Sequence, residues 1–488
     1  MTQKEMQSIL EIGTAISSEK DYNRLLEMIL NRIMELTHAD AGTLYLADGD
    51  LLRFKIMCNN TMHTCEGGDG KEPNLPPVRM SRENVCVMCY LENRTVCIEN
   101  VRTSTEYDFS GPVRYDAMTG YHTQSMLVVP MHNRQGERLG VIQLINAMDA
   151  AGNICAFPAD IIPAVESVAS QAAITIQNVL YIENIKELFE SFVRVMSSAV
   201  DERTPYNASH TRHMVEYGRH FIDYLNETAK AEGREPWFDA EHRHELLMSV
   251  WLHDIGKLVI PLEVMNKEAR LLPEQKSEIL HRFEKMRLLA QIACLKGAIS
   301  GETLEKRLEE LKQAGDTILR ANTAGFCPDD LREEICRIRE KTYTEEDGSE
   351  KPWLEEEEFQ MLMIRKGTLS EKERAVMESH VVITDKLLSE IRFSKELSHV
   401  REWAAGHHEL LNGSGYPKHL MAGQIPMEVR IITILDIFDA LVADDRPYKP
   451  GMPVEKALGI LDIMADKEGK LDPELTRLFR KSRCWEKD

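Results

Sequence analysis

His253 and Asp254 stand side by side in LHDIGKL, with Gly256 and Lys257 just behind them. Glycine suits the end of a helix, so a helix stopping there sends both side chains into one pocket, and Lys257 brings that pocket a positive charge. Further on, GHHELLNGSGYP (406–417) sets His407 and His408 before a glycine-rich turn with Tyr416 and Pro417. MESHVVIT centres on His380, and RTPYNASHTRHM carries His210. ILDIFDALVADDRPYK ends an apolar run on Asp436, with Arg446 and Lys449 after it. Taken singly, a histidine on a helix is a solvated or hydrogen-bonded side chain, and an aspartate after an apolar run is a cap. Together the five pieces offer five imidazoles and two carboxylates: His210, His253, His380, His407, His408, Asp254 and Asp436. No thiolate belongs to the set. Nitrogen and oxygen ligands without sulfur suit Mn, Fe or Zn. Seven ligands exceed what one ion takes, so a centre of at least two metals is expected.

The elements that would position these residues are helical. Residues 201–267 and 367–465 read as helices, and 268–366 forms a distinct block between them. In that block Ile279, Phe283, Met286, Leu289, Ile292 and Leu295 make one amphipathic stripe. Gly297 and Gly301 break it, and Leu304, Leu308, Leu311 and Ile318 make a second, which predicts a helical hairpin. TEEDGSEKPWLEEEEF then reads as an acidic loop, with Glu355 to Glu358 a solvated face. Upstream, residues 160–200 read as one long helix. Ile161, Val165, Val168, Ala172, Ile176 and Val179 step by three and four, and Ile182, Ile185, Phe189, Phe192 and Val195 continue the stripe. A helix of that length favours a coiled-coil-like connector between two protomers over an ordinary packed helix. Residues 1–180 mix periods. AGTLYLADGDLLRFKIM predicts two strands about Asp48–Gly49, and QSMLVVPMHN with ERLGVIQLINAM predicts a pair about Gln135–Gly136. The expectation is an antiparallel sheet with helices on one side.

Length and charge bound the function. The 488 residues suggest about three units. With 43% hydrophobic and 28% charged residues the chain is neither disordered, collagen-like nor a disulfide miniprotein. A net charge of −21 argues against nonspecific binding to DNA or membranes. An anionic substrate would need a local positive pocket or a metal. No apolar run has the length of a membrane helix and no signal peptide is read, so a cytoplasmic protein is expected, with its ten cysteines mostly reduced.

Two resemblances follow from these stretches. Through LVVPMHNRQGERLGVIQLIN the N-terminal part (1–180) resembles a GAF domain, a family that binds small regulators or dimerises. Residues 190–465 resemble an HD-GYP domain, a subclass of the HD metal-dependent phosphohydrolases, in HDIGK and in HHELLNGSGYP, whose Gly415, Tyr416 and Pro417 are intact. The implied architecture is multidomain: an α+β GAF-like antiparallel sheet with helices, a connecting helix over 160–200, and an all-α HD-type bundle interrupted by the insertion 268–366, with 466–488 as a C-terminal tail. The resemblance makes the seven histidines and aspartates above the metal ligands, with Asp254 bridging two cations. It sets Lys257 beside the metals as a catalytic group, Arg446 and Lys449 on substrate phosphate, and Gly415, Tyr416 and Pro417 near the bound dinucleotide. Fe or Mn is favoured.

The chain departs from the family pattern in three places. Asn412 replaces the usual aspartate, which turn geometry tolerates. Tyr206 stands where members with a third metal carry a glutamate, so two metals are expected. The 127 positions from His253 to His380 exceed the family's short spacing, hence the insertion.

The implied activity is hydrolysis of cyclic di-GMP to linear pGpG, with or without a second cut to GMP, under a GAF sensor in a homodimer joined through the GAF domain and the connecting helix. The competing readings are a cyclic GMP-AMP phosphodiesterase and a catalytically silent receptor for a cyclic dinucleotide or a protein. Cys86 and Cys89 form a C-x-x-C near Cys58, His63 and Cys65. A redox or metal sensor is one reading of that pair, and buried cysteines in a reducing compartment are the other, favoured one.

Overall fold

The computed structural model describes residues 13–16, 18–19, 21–68, 73–133, 135–203, 209–443 and 451–486. It divides into two compact units, Met1–Phe189 and Glu190–Asp488.

In the first unit α1 (Tyr22–Thr37) starts at Asp21, whose carboxylate accepts from the Arg24 amide at 2.8 Å. An antiparallel sheet follows: β1 (Ala39–Asp48), β2 (Leu51–Asn59), β3 (Thr64–Gly67), β4 (Val78–Arg79), β5 (Val96–Ile98), β6 (Met126–His132), β7 (Arg138–Met148) and β8 (Ile154–Cys155). Strand order is β3-β2-β1-β7-β6-β5, with β4 on β2 and β8 on β7. Gly49, at φ +55, and Asp50 turn β1 into β2. Two helices, α2 (Val85–Glu92) and α3 (Ser110–Thr119), lie between β4 and β6, and α4 (Ile162–Asp201) follows the sheet.

The helices lie on both faces of the sheet, not one. Leu127, Val129, Ile142 and Leu144 face a core shared with α1 and the first half of α4, where Val165, Val168, Ala172 and Ile176 are fully buried. Their neighbours Val128 and Val141 face a second core with α2. Period-two alternation gives each strand two faces, and here both are apolar, so each needs cover.

That second core also decides the cysteines. Cys86 and Cys89 lie inside it on α2, and burial pushes the Cys86 thiol up to about 12. The Cys89 thiol donates to the Val128 carbonyl at 3.5 Å. Buried thiols packed against a sheet fit the favoured reading of the pair as core cysteines. Cys58 and Cys65 face each other across β2 and β3 and are disulfide-bonded, while the other eight cysteines are free.

The second unit is mainly helical and has two cores. It contains α5 (His210–Ala231), α6 (Ala240–Leu252), a 3-10 turn (Ile255–Val259), α7 (Leu262–Met265), α8 (Pro273–Leu295), α9 (Gly301–Thr323), α10 (Asp329–Arg339) and α11 (Glu356–Leu362). Then come α12 (Glu371–Glu378), α13 (His380–Ser389), α14 (Val400–Ala405), α15 (Met427–Val442), α16 (Val454–Asp466) and α17 (Pro473–Ser482). The larger core draws on α5, α6 and α14 to α17. The last stretch is therefore no tail: Leu471, Leu475, Phe479 and Cys484 are buried there.

Residues 268–366 have a separate core in which Ile279, Phe283 and Met286 of α8 meet Leu311 and Ile318 of α9. The far end of the expected stripe is bare, Leu295 being 88% exposed. The supposed acidic loop is ordered. Strands β9 (Thr342–Thr344) and β10 (Glu350–Pro352) pair, so the region is not purely helical, and Trp353 and Leu354 enter the core. Glu358 is buried in a two-pronged ion pair with Arg282 at 2.7 and 3.0 Å, not solvated.

Where the insertion begins and ends, Arg270 has no exposure at all. Its Nε donates to the Ile364 carbonyl at 2.9 Å and one terminal nitrogen to the Ala321 carbonyl, so a single side chain ties the entry, the hairpin and the exit. Arg270→Met strips two buried carbonyls of their donors and should cost about 2–4 kcal/mol, read as a lower urea midpoint.

Candidate metal centre

Helix α6 ends at His253, and the chain tightens into the 3-10 turn that carries Lys257. Gly256 is needed for proximity, not for a left-handed cap. A Cβ there would lie 1.9 Å from the His380 carbonyl, and its amide donates to the Thr384 hydroxyl at 3.0 Å. The HD turn thus rests directly on the start of α13. The Thr384 hydroxyl in turn donates to the His253 carbonyl at 3.0 Å.

The structure brings His210, His253, Asp254, His380, His407, His408 and Asp436 to one place, as two clusters. His210, His253 and Asp254 form one, and His380, His407 and His408 the other, with the ligand atoms in each within 4.8 Å of one another. Asp254 faces both. Its Oδ2 is 3.2 Å from His253 Nε2 and 3.9 Å from His210 Nε2, while its Oδ1 is 3.4 Å from His380 Nε2 and 3.9 Å from His407 Nε2. Asp436 also spans the pair, 3.4 Å from His210 Nε2 and 3.8 Å from His408 Nδ1. Lys257 Nζ donates to Asp254 Oδ2.

The ring orientations are imposed from behind. The Nδ1–H groups of His253, His380 and His407 donate to the carbonyls of Val250, Met377 and Ala404 at 2.6–2.7 Å, each three residues back. His210 Nδ1 donates to Asp439 at 2.6 Å. With Nδ1 protonated, the Nε2 of His380 and of His407 is left as a bare lone pair, while His210 keeps a second proton that a cation would have to displace. His380 Nε2 and His407 Nε2 face each other at 3.4 Å, acceptor against acceptor. His210 Nε2, His253 Nε2 and Asp254 Oδ1 are buried with no hydrogen-bond partner. Converging lone pairs in a dry site are what a cation satisfies, so the donor set fits divalent metal.

Protonation separates the clusters. Burial lowers the pKa of His380 to about 4 and also lowers His407 and His408, so these rings are neutral ligands at pH 7. Burial alone would lower His210 as well, but the carboxylates of Asp436 and Asp439 push it up to about 10. Asp254 and Asp436 stay ionised despite burial, held down by Lys257 and His253 in one case and by His210 and His408 in the other.

Tyr416 lies tilted against His408, ring centroids 4.8 Å apart, and 6.5 Å from His380. Burial and Asp436 keep its phenol protonated. The Tyr416–Pro417 peptide is cis. Gly415 is needed because a Cβ would lie 2.3 Å from the Leu410 amide. Asn412 spans its turn, accepting from Ser414 N at 3.0 Å and donating to the Glu468 carbonyl at 2.9 Å, a bond aspartate could not make. Arg446, Lys449 and Tyr206 lie outside the described residues.

Sequence reasoning missed two supports. Asp439, one turn beyond Asp436, orients His210 and also lies 3.4 Å from His213 Nδ1; its signal was the i, i+3 spacing of the two aspartates. Buried Glu409 accepts from the Lys418 and Leu420 amides at 2.7 and 2.8 Å and pins the loop after Pro417.

The chain carries a GAF domain and an HD domain: family models match residues 21–176 and 357–475 respectively. The HD match starts within the insertion and takes in His380, His407, His408 and Asp436, whereas His210, His253 and Asp254 lie upstream of it. Among relatives, a 3'3'-cGAMP-specific phosphodiesterase 3 of Vibrio cholerae serotype O1 is 36% identical over 121 residues, 25% of each chain. A cyclic di-GMP phosphodiesterase of Thermotoga maritima is 36% identical over 121 residues, 25% of this chain and 32% of its own. A cyclic di-GMP phosphodiesterase response regulator of Xanthomonas campestris pv. campestris is 39% identical over 102 residues, 20% and 26%. The chain spans about a third or less of these relatives' length.

Two outcomes follow for metal uptake. A cation at the His210 cluster must displace the proton His210 holds below about pH 10, so uptake at pH 7 should release a proton there and affinity should climb as pH rises. The His380 cluster, whose rings burial keeps neutral at pH 7, should release none there. Mn²⁺ calorimetry in buffers of different ionisation enthalpy reads this. Asp439→Ala should weaken Mn²⁺ binding about 10–100-fold, and Gly256→Ala, which forces α13 off the HD turn, should lose it altogether, both measured by the same titration.

Proposed function

We propose that this protein is a metal-dependent phosphodiesterase that opens a cyclic dinucleotide, cyclic di-GMP first, to linear pGpG. The observation that carries this is Asp254 placing one carboxylate oxygen toward each histidine cluster. The names of the relatives supply the substrate class. His210, His253, Asp254 and Asp436 would hold one cation, and His380, His407 and His408 with Asp254 the other. Fe or Mn suits a set of nitrogen and oxygen donors without sulfur.

When bound, such a pair acidifies water and neutralises charge on a phosphodiester. The chain's own groups do the rest. Lys257 holds an ammonium within reach of the shared carboxylate, where it can protonate the leaving alkoxide. Tyr416 presents a protonated phenol and an aromatic face to the nucleotide, with Gly415 and Pro417 shaping its loop. Arg446 and Lys449 would grip the second phosphate. These cations reconcile an anionic substrate with a chain of net charge −21.

The GAF domain would act as a cytoplasmic sensor in a homodimer. Tyr181, Ile185, Leu188, Phe192 and Val195 on α4 are each 52–71% exposed and alternate by four and three, the seam of a two-stranded coiled coil. Among the described residues no helix is long and apolar enough to cross a membrane.

An anaerobic assay with cyclic di-GMP and cyclic GMP-AMP, Mn²⁺ and Fe²⁺ supplied separately, should give linear product. Asp254→Ala should lower turnover at least 10³-fold while leaving the helical circular dichroism intact. Turnover by that variant would sink the assignment, and silence of metal-loaded wild type would move the reading to a receptor. Phe192→Glu should convert dimer to monomer in sedimentation equilibrium.

A further inference from the structure

The far end of α4 is built into the metal centre. From Val193 onward one stripe of the helix is buried in the second unit through Val193, Ser197, Val200 and Asp201. Asp201, its last residue, accepts the Thr211 hydroxyl at 3.0 Å. Thr211 is buried and adjoins His210. Two residues past Asp201, the Arg203 guanidinium donates to the carbonyls of Lys257 (2.9 Å), Leu258 and Ile260 (3.1 Å).

These carbonyls belong to the turn that follows Asp254 and bears Lys257. The turn is a single 3-10 helix, closed at its ends by Lys257 N to the Asp254 carbonyl at 2.9 Å and Ile260 N to the Lys257 carbonyl at 3.2 Å. A guanidinium is a rigid planar fork, so three carbonyls gripped at once fix the turn against the helix end in orientation as well as distance. No carboxylate partner of Arg203 appears among the described residues.

We infer that Arg203 is a positioning residue through which α4 sets the metal affinity of the HD turn, with Asp201–Thr211 as the companion contact on the His210 side. The helix runs unbroken from Ile162, so a rotation or axial shift imposed near its start would reach Asp254 and Lys257 as a displacement of backbone, with no ligand side chain altered. This rests on reading the two histidine clusters as a metal centre but not on the substrate. It gives regulation a named point of delivery.

The test uses the full chain and Mn²⁺ as probe. Arg203→Gln should raise the Mn²⁺ dissociation constant about tenfold or more and speed amide exchange across 254–260, with exchange in α16 and α17 unchanged. Arg203→Lys, one donor centre in place of a fork, should recover only part of either effect. Thr211→Val should raise the dissociation constant in the same direction by a smaller factor. A single alanine inserted after Leu188 turns the downstream helix by about 100°. It should shift Mn²⁺ affinity in otherwise wild-type protein, and that shift should vanish in the Arg203→Gln background. Unchanged affinity and exchange in folded Arg203→Gln would overturn the inference, as would additive effects of the insertion and Arg203→Gln. If both readouts move as expected while no cyclic dinucleotide is cut, the inference stands and the substrate assignment falls.

Discussion

The helices that carry the two histidine clusters answer to one buried carboxylate. Asp254 turns one oxygen toward His210 and His253 and the other toward His380 and His407. For that to hold, α6 must stop at His253, α13 must start within contact of Gly256, and α14 must deliver His407 from a third direction. A buried anion of this kind is costly unless countercharges surround it. Here Lys257 supplies one at Asp254 Oδ2, and the protonated His210 lies 3.9 Å from the same oxygen. The packing around Asp254 is correspondingly unforgiving: Gly256 has no room for a methyl group, and the Thr384 hydroxyl bonds to both the Gly256 amide and the His253 carbonyl.

The proposed ligands can be picked out in sequence because each carries a local mark: an HD pair, an HH pair, a histidine within a helical run, an aspartate ending an apolar run. All seven converge. The supports read poorly because their partners are remote. Asp439 meets His210 across 229 positions. Thr384 meets Gly256 across 128. Arg203 carries no local mark, since a guanidinium that bonds to backbone carbonyls leaves no trace in composition.

The fold shows the same division. Strand pairs and the long helix follow from periodicity and appear where expected, with α4 at Ile162–Asp201. What failed were inferences about faces. Residues such as Val128 and Val141 reveal a second buried face only when the alternation of β6 and β7 is followed to both sides. Glu358 looked solvated in a run of acids, yet it is the capping-box residue of α11 and the partner of Arg282. A charge run conceals its one buried member, because burial depends on a cation 76 positions away.

The Arg270 staple has a bearing on how the centre assembles. His253 and His380 are 127 positions apart, and drawing them together from an open chain would cost the loop entropy of that whole length. Once the insertion has collapsed on its own core, Arg270 holds positions 270 and 364 in contact, and the path between the two ligands shortens to roughly a quarter. By the logarithmic scaling of loop closure this lowers the entropic cost by about 1 kcal/mol. The insertion is then a short circuit in the chain: with its ends tied, it makes the distant pair His253 and His380 near neighbours along the polymer.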